Sequence, residues 1–267
     1  MAFLSLLILG IVAGTGVTLA TALLSTSIER EAHAAAVASG DTHCASTDVA
    51  THCASCGRSL AVLERLLPDR LARLIPRCRD CAERLVTLFP LVCIVTTGAA
   101  LCSRLVFGLN YDALAAFAFV CTLVAASVID IRHRLLPDAI TLPLLWAGLI
   151  VNLNGTFASL DNAVIGAAVG YLVLWLPSVI FRLLRGVDGM GHGDFKLLAA
   201  LGAWLGWQSI PWIVALSTGL CAVAGIALIF AQRIRADTTL PFGPFLVCGG
   251  LVALYFRDWI LTSNVFS

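Results

Sequence analysis

The chain has 267 residues, of which 60% are hydrophobic and only 12% charged, with a mean hydropathy of +0.95. Soluble domains carry roughly 25% charged residues, so this composition excludes a soluble protein and predicts an all-α polytopic membrane protein. The net charge of +1 says nothing about nucleic acid, and no nucleic-acid partner is expected; the distribution of charge is what informs.

About eight transmembrane helices are predicted, over roughly 2–25, 88–109, 113–131, 139–153, 161–181, 195–209, 210–231 and 242–264. The first opens Met1-Ala2-Phe3 without a basic start and is followed by arginines, so it reads as an anchor with its N-terminus outside rather than a cleaved signal. The pair 195–209 and 210–231 is divided only by Trp207-Gln208-Ser209 and Pro211. One continuous helix there would be about twice the length a bilayer needs, so two spans and a tight turn are expected. The chain thus divides into an anchor (1–25), a water-exposed region (26–87) and a transmembrane domain (88–267).

Arginine and lysine set the orientation. Residues 26–87 hold eight arginines, and the loops carrying Arg132 and Arg134, Arg182, Arg185 and Lys196, and Arg233 and Arg235 alternate with connections near 110–112, 154–160 and 208–211 that carry none. Only Arg104 and Arg257 lie near the opposite face. The basic loops are therefore expected in the cytoplasm and both termini outside.

Of ten cysteines, five lie inside hydrophobic segments, where they pack as small apolar side chains. Four others form two C-x-x-C pairs, Cys53 with Cys56 and Cys78 with Cys81, separated by 21 residues. Each pair can aim two sulfurs at one ion, and together they match a closed four-thiolate zinc site that stabilises a small fold and performs no chemistry. A reducing cytoplasm disfavours disulfides as the alternative. A small zinc-binding insertion is thus expected after the first span.

Four aspartates fall at one membrane face by the count of spans: Asp130, Asp138, Asp188 and Asp194. Ionisable groups at a bilayer are costly and point to function. Asp138 follows Pro137 and precedes an apolar run, as a helix N-cap would. Asp188 lies in a glycine-rich loop open to water. Asp130 ends the apolar run CTLVAASVID, and Asp194 follows the alternating glycines 189, 191 and 193. These two are the best-placed pair. Facing carboxylates share one proton; the ionised member can activate a water against a peptide carbonyl while the protonated member hydrogen-bonds that carbonyl. Bare glycines would let the backbone approach an extended substrate strand.

Together, GMGHGDFKLLAALGAWLGW (189–207), DIRHRLLPDAITLPLLWAGLIVN, the two C-x-x-C pairs and LPFGPFL (240–246) resemble the bacterial type IV prepilin peptidases, the GxGD membrane aspartic proteases, over about residues 50–256. The resemblance implies cleavage of the basic leader of type IV prepilins or type II secretion pseudopilins, after a glycine, at the cytoplasmic face of the bacterial inner membrane. It places the catalytic pair at Asp130 and Asp194, with Gly191, Gly193, Asp138 and Lys196 supporting the site and Cys53, Cys56, Cys78 and Cys81 holding Zn2+. Many members also methylate the new N-terminus with S-adenosylmethionine. This chain departs from the family in the first span (GTGVTLATALLSTSIER) and at Leu88-Phe89-Pro90, and has His192 where the family often has Tyr. A peptidase without methyltransferase activity is therefore one alternative, and a zinc-stabilised transport or assembly protein another. A transporter would place its carboxylates near the midplane, and a presenilin-like protease would lack the zinc pattern. Nothing in the sequence signals an oligomeric state.

Overall fold

A computed structural model describes residues 9–17, 20, 21, 24, 89–108, 110–186, 191–232, 240–257 and 262. Region 26–87, with Cys53, Cys56, Cys78 and Cys81, lies outside the described residues, as do Asp188 and Gly189. Among the described residues the secondary structure is helical, with no strand. The helices are α1 (Phe89–Phe107), α2 (Tyr111–His133), α3 (Asp138–Val151), α4 (Leu160–Arg185), α5 (His192–Leu205), α6 (Ile210–Phe230) and α7 (Gly243–Tyr255). Single 3-10 turns at Asn152–Asn154 and Trp207–Ser209 follow α3 and precede α6.

The backbone divides into two compact units, Met1–Leu101 and Cys102–Ser267. In the first, residues 9–17 are helical and pack on the start of α1. The buried Thr96 hydroxyl reaches the Gly10 carbonyl at 3.0 Å, and a Cβ at Gly14 would fall 2.8 Å from the Thr96 oxygen.

Three helical stretches are long and apolar enough to cross a membrane: Tyr111–His133, Leu160–Arg185 and Trp207–Phe230. The protein is thus an integral membrane protein of helices, but the described residues do not present eight full spans. α3 and α5 have 14 residues and α7 has 13, about 20 Å each, against a hydrocarbon core of about 30 Å. The predicted division after 195–209 is present: Gly206, at φ 80°, and the 3-10 turn separate α5 from α6.

The shortness of α5 has a physical counterpart. From Leu197 to Leu205 every residue is buried, so the helix is enclosed by α3, α4 and α7 rather than by lipid. Small residues make this enclosure tight. A Cβ on Gly166 of α4 would strike the carbonyl of Gly202 on α5, a Cβ on Gly202 would strike that of Gly166, and one on Gly170 would fall 2.6 Å from the Leu198 carbonyl. Close backbone approach through glycine is how helices associate where no water drives them together.

One end of the unit is closed by polar groups, each with a partner. The fully buried Asn152 donates through Nδ2 to the carbonyls of Ala203 (2.8 Å) and Trp204 (2.9 Å), and its Oδ1 accepts from the amides of Phe157 (2.9 Å) and Ala158 (3.1 Å). Trp204 stacks on Phe119 of α2, ring centroids 4.4 Å apart, and donates to the Leu144 carbonyl at 2.8 Å. The opposite end gathers the C-terminus of α2 and the N-termini of α3, α5 and α7, where the candidate site lies.

Candidate active site

Asp130 stands in the last turn of α2, only 5% exposed. The helix ends four residues later because Arg134 adopts the left-handed conformation (φ 53°), its amide closing on the Asp130 carbonyl at 2.8 Å. Pro137 then prevents helix continuation and opens α3. The Asp130 side chain points to α7. Its Oδ2 accepts the Gly243 backbone N–H at 3.0 Å. The first amides of a helix have no intrahelical acceptor and carry the positive end of the dipole. Pro244 has no N–H of its own, so Gly243 is the amide that can face the carboxylate. A Cβ there would fall 2.6 Å from Oδ2, so glycine lets the amide approach without displacing the carboxylate.

Asp194 is the third residue of α5, half-buried, ahead of that helix's apolar run. Burial, and secondly the charge of Asp130, push its carboxyl up to about 7. The structure therefore brings Asp130 and Asp194 into one electrostatic site from two helices 64 positions apart in sequence.

The expected supporting residues divide. Lys196 Nζ lies 2.5 Å from Asp138 Oδ1, an ion pair linking α5 to α3 on the exposed side. Asp138 is not the N-cap of α3: Pro137 holds that position, and Asp138 is the first helical residue. Gly193 packs on Leu136, where a Cβ would fall 2.7 Å from the leucine Cβ, so its bare backbone serves the contact with the α2–α3 loop. Gly191 caps α5 with open space around it. His192 lies with its ring 5.6 Å from that of Phe195, edge to face, one turn along the same helix.

Sequence reasoning assigned no role to two residues. Gly243 is visible as a Gly-Pro helix start, a known N-terminal pattern, but its partner Asp130 lies 113 residues away. Asn152 is visible as an amide inside the apolar run GLIVNLNG, a type of residue that enters a core only with its bonds made.

An integral membrane protein whose helices bring two coupled carboxylates together at one end has the constellation of the membrane aspartic peptidases. Residues 117–226 match the type IV leader peptidase family. Relatives named prepilin leader peptidase/N-methyltransferase are similar over most of the chain. That of Burkholderia pseudomallei (strain 1026b) is 46% identical over 204 residues, 76% of this chain and 66% of the relative. That of Aeromonas hydrophila is 43% identical over 215 residues, 79% and 74%. That of Pseudomonas putida is 42% identical over 219 residues, 81% and 75%. The chain belongs to the type IV leader peptidase family. Its aligned part spans just under two thirds of the Burkholderia protein's length. No solved structure matches the chain.

Proposed function

We propose that the chain is a prepilin leader peptidase that cleaves the basic leader of type IV prepilins or type II secretion pseudopilins. The reading rests on one arrangement: buried Asp130, held by the Gly243 amide, and Asp194, the third residue of α5, lie within electrostatic reach of each other at one end of the helices. A shared proton leaves one carboxylate to take a proton from water and one carboxylic acid to donate to the scissile carbonyl. Asp130, held by the Gly243 amide, is the base. Water attacks the carbonyl carbon, Asp194 hydrogen-bonds the carbonyl oxygen, and the proton gained by Asp130 passes to the departing amine as the C–N bond breaks. No covalent enzyme intermediate forms.

The membrane arrangement that suits this chemistry has the basic loops, and with them the carboxylates, at the cytoplasmic face of the inner membrane. About eight hydrophobic segments are embedded and both termini are periplasmic. The basic leader then lies at the rim beside Asp130, Asp138 and Asp188. The donor set of Cys53, Cys56, Cys78 and Cys81 suits Zn2+, which would close that region without an open coordination position, so no step runs through it. The relatives' name carries an N-methyltransferase activity. The same activity here would use S-adenosylmethionine on the new N-terminus; the departures in the first span favour a peptidase alone as the second reading.

The deciding experiment is cleavage of a prepilin in membranes by the parent, Asp130→Asn and Asp194→Asn, with product mass as readout and S-adenosylmethionine supplied. The expected result is cleavage by the parent alone, with both variants folded; the product mass reads any methyl group. Full activity in either variant would overturn the pair, and a parent inert towards prepilins would overturn the substrate.

A further inference from the structure

Among the described residues, three carboxylates stand at the end of the second unit that holds the candidate site, and they differ in their access to water. Asp130 is 5% exposed and engaged by the Gly243 amide. Asp194 is half-buried. Asp138, the first residue of α3, has 57% of its side chain exposed. The other described aspartates, Asp112 and Asp161, lie in the first turns of α2 and α4, at the opposite end. Among the described residues, Asp138 is therefore the one carboxylate at this end that a cation arriving from water meets in the open.

That carboxylate is paired with a cation of the chain itself, Lys196, whose Nζ lies 2.5 Å from Oδ1. Lys196 is two residues beyond Asp194 on α5, and Asp138 is two beyond Leu136, on which Gly193 packs. The pair thus borders the Gly193–Leu136 contact, one residue from Asp194. The join between α3 and α5 has other supports. A Cβ on Gly148 of α3 would strike the Trp204 ring of α5, and that ring donates to the Leu144 carbonyl at 2.8 Å. An ion pair as exposed as this one adds little net free energy, because water solvates both charges well when they part. Exchanging its ammonium for another cation therefore costs little.

We propose that Lys196 is a latch: it holds Asp138 in the free enzyme and yields it to a cationic side chain of the substrate's leader. The inference rests on the peptidase reading. A basic leader brought to Asp130 and Asp194 carries its charge past this exposed carboxylate, where its ammonium or guanidinium competes with Lys196 for the same oxygens. One pair breaks as the other forms. A leader without charge leaves the latch closed and gains nothing from Asp138. After the cut, the leader has lost its link to the rest of the substrate, whereas Lys196 remains tethered beside Asp138 at a high effective concentration. Lys196 then reclaims the carboxylate and the leader departs. The residue thus sets how tightly a leader's charge is held before the cut and how readily the leader leaves after it.

The test measures KM and kcat for the full-length parent, Lys196→Met and Asp138→Asn in membranes. Each is given a prepilin with its basic leader and the same prepilin with the leader's basic residues changed to glutamine. On the basic leader, Lys196→Met should lower KM about threefold and Asp138→Asn should raise it about threefold, the scale of one exposed ion pair. kcat should change little, the mark of altered uniform binding. On the glutamine leader the three enzymes should share one KM. Inhibition by the free basic leader peptide should strengthen about threefold in Lys196→Met, again the scale of one exposed pair. A pair that only clamps α3 to α5 behaves differently: losing either partner shifts both variants the same way and on both substrates. That result would overturn the exchange. So would a parent whose KM does not distinguish the two leaders, a measurement that needs no variant to fold. A parent that cleaves neither prepilin removes the peptidase reading, and the latch with it.

Discussion

The backbone N–H of Gly243 donates to Oδ2 of Asp130 at 3.0 Å, joining the start of α7 to the end of α2. An added Cβ at position 243 would sit 2.6 Å from the acceptor, so a larger residue requires the Asp130 carboxylate to shift. Gly243→Ala is therefore expected to displace the carboxylate and lower kcat by about a hundredfold, the scale of loss for a misplacement of about 1 Å. A detergent melt must remain cooperative for the result to speak to position. Parent-like kcat in the alanine variant would show that the amide does not orient Asp130.

Asp194, with its carboxyl up at about 7, is expected to set the alkaline limb of the pH profile. Cleavage is expected to fall as pH rises through about 7, because the acid that hydrogen-bonds the scissile carbonyl is lost. Stability follows the same sign. The folded chain holds this proton more tightly than the unfolded one, whose carboxyl titrates near 3.8. This group's contribution is therefore greatest below about 4 and declines as pH rises to about 7. Asp130→Asn removes the charge but not the burial, so the Asp194 midpoint should move down. Infrared titration of the protonated carboxyl band checks this, and an unmoved midpoint would mean the two groups are not coupled.

The Asp138–Lys196 pair predicts a contrasting result. Its side chains are 57% and 29% exposed, and exposed ion pairs contribute about 0–1 kcal/mol. Asp138→Asn should therefore shift stability by less than about 1 kcal/mol and leave cleavage measurable. Loss of cleavage as complete as in Asp194→Asn would place Asp138 in the chemistry itself.

Asn152→Ala should be destabilising without touching the carboxylates. It strips partners from the Ala203 and Trp204 carbonyls and from the Phe157 and Ala158 amides. Buried groups left unpaired cost about 1–3 kcal/mol each. A clear fall in resistance to unfolding in mixed detergent micelles is expected, and an unchanged midpoint would mean water replaces the amide.

Much of the helical order was legible because apolar runs, Gly and Pro act locally. The break at 206–209 shows in Trp207-Gln208-Ser209 and Pro211, and the structure supplies it with Gly206 at φ 80°. Helix length was less legible. Hydropathy marks α5 as membrane-compatible but does not reveal that α3, α4 and α7 enclose it, which is what lets a helix of 14 residues sit there. At the site, counting spans put Asp130, Asp138 and Asp194 at one face. Asp138 resembled an N-cap because proline precedes it, whereas its actual partner is Lys196, 58 residues on. The Gly243 contact is equally remote. Local patterns carry no information about such pairings.

The grip of Asn152 on the Ala203 and Trp204 carbonyls also makes α5 a ruler. That grip lies nine residues from Asp194, about 14 Å along the helix. With one end clamped and glycine contacts along its side, the helix cannot slide or turn independently. Removing one residue from its middle would draw Asp194 back by about 1.5 Å and rotate it by about 100°, away from Asp130. What α5 delivers to the site is therefore a distance and an angle, set by how many residues it contains as much as by which ones.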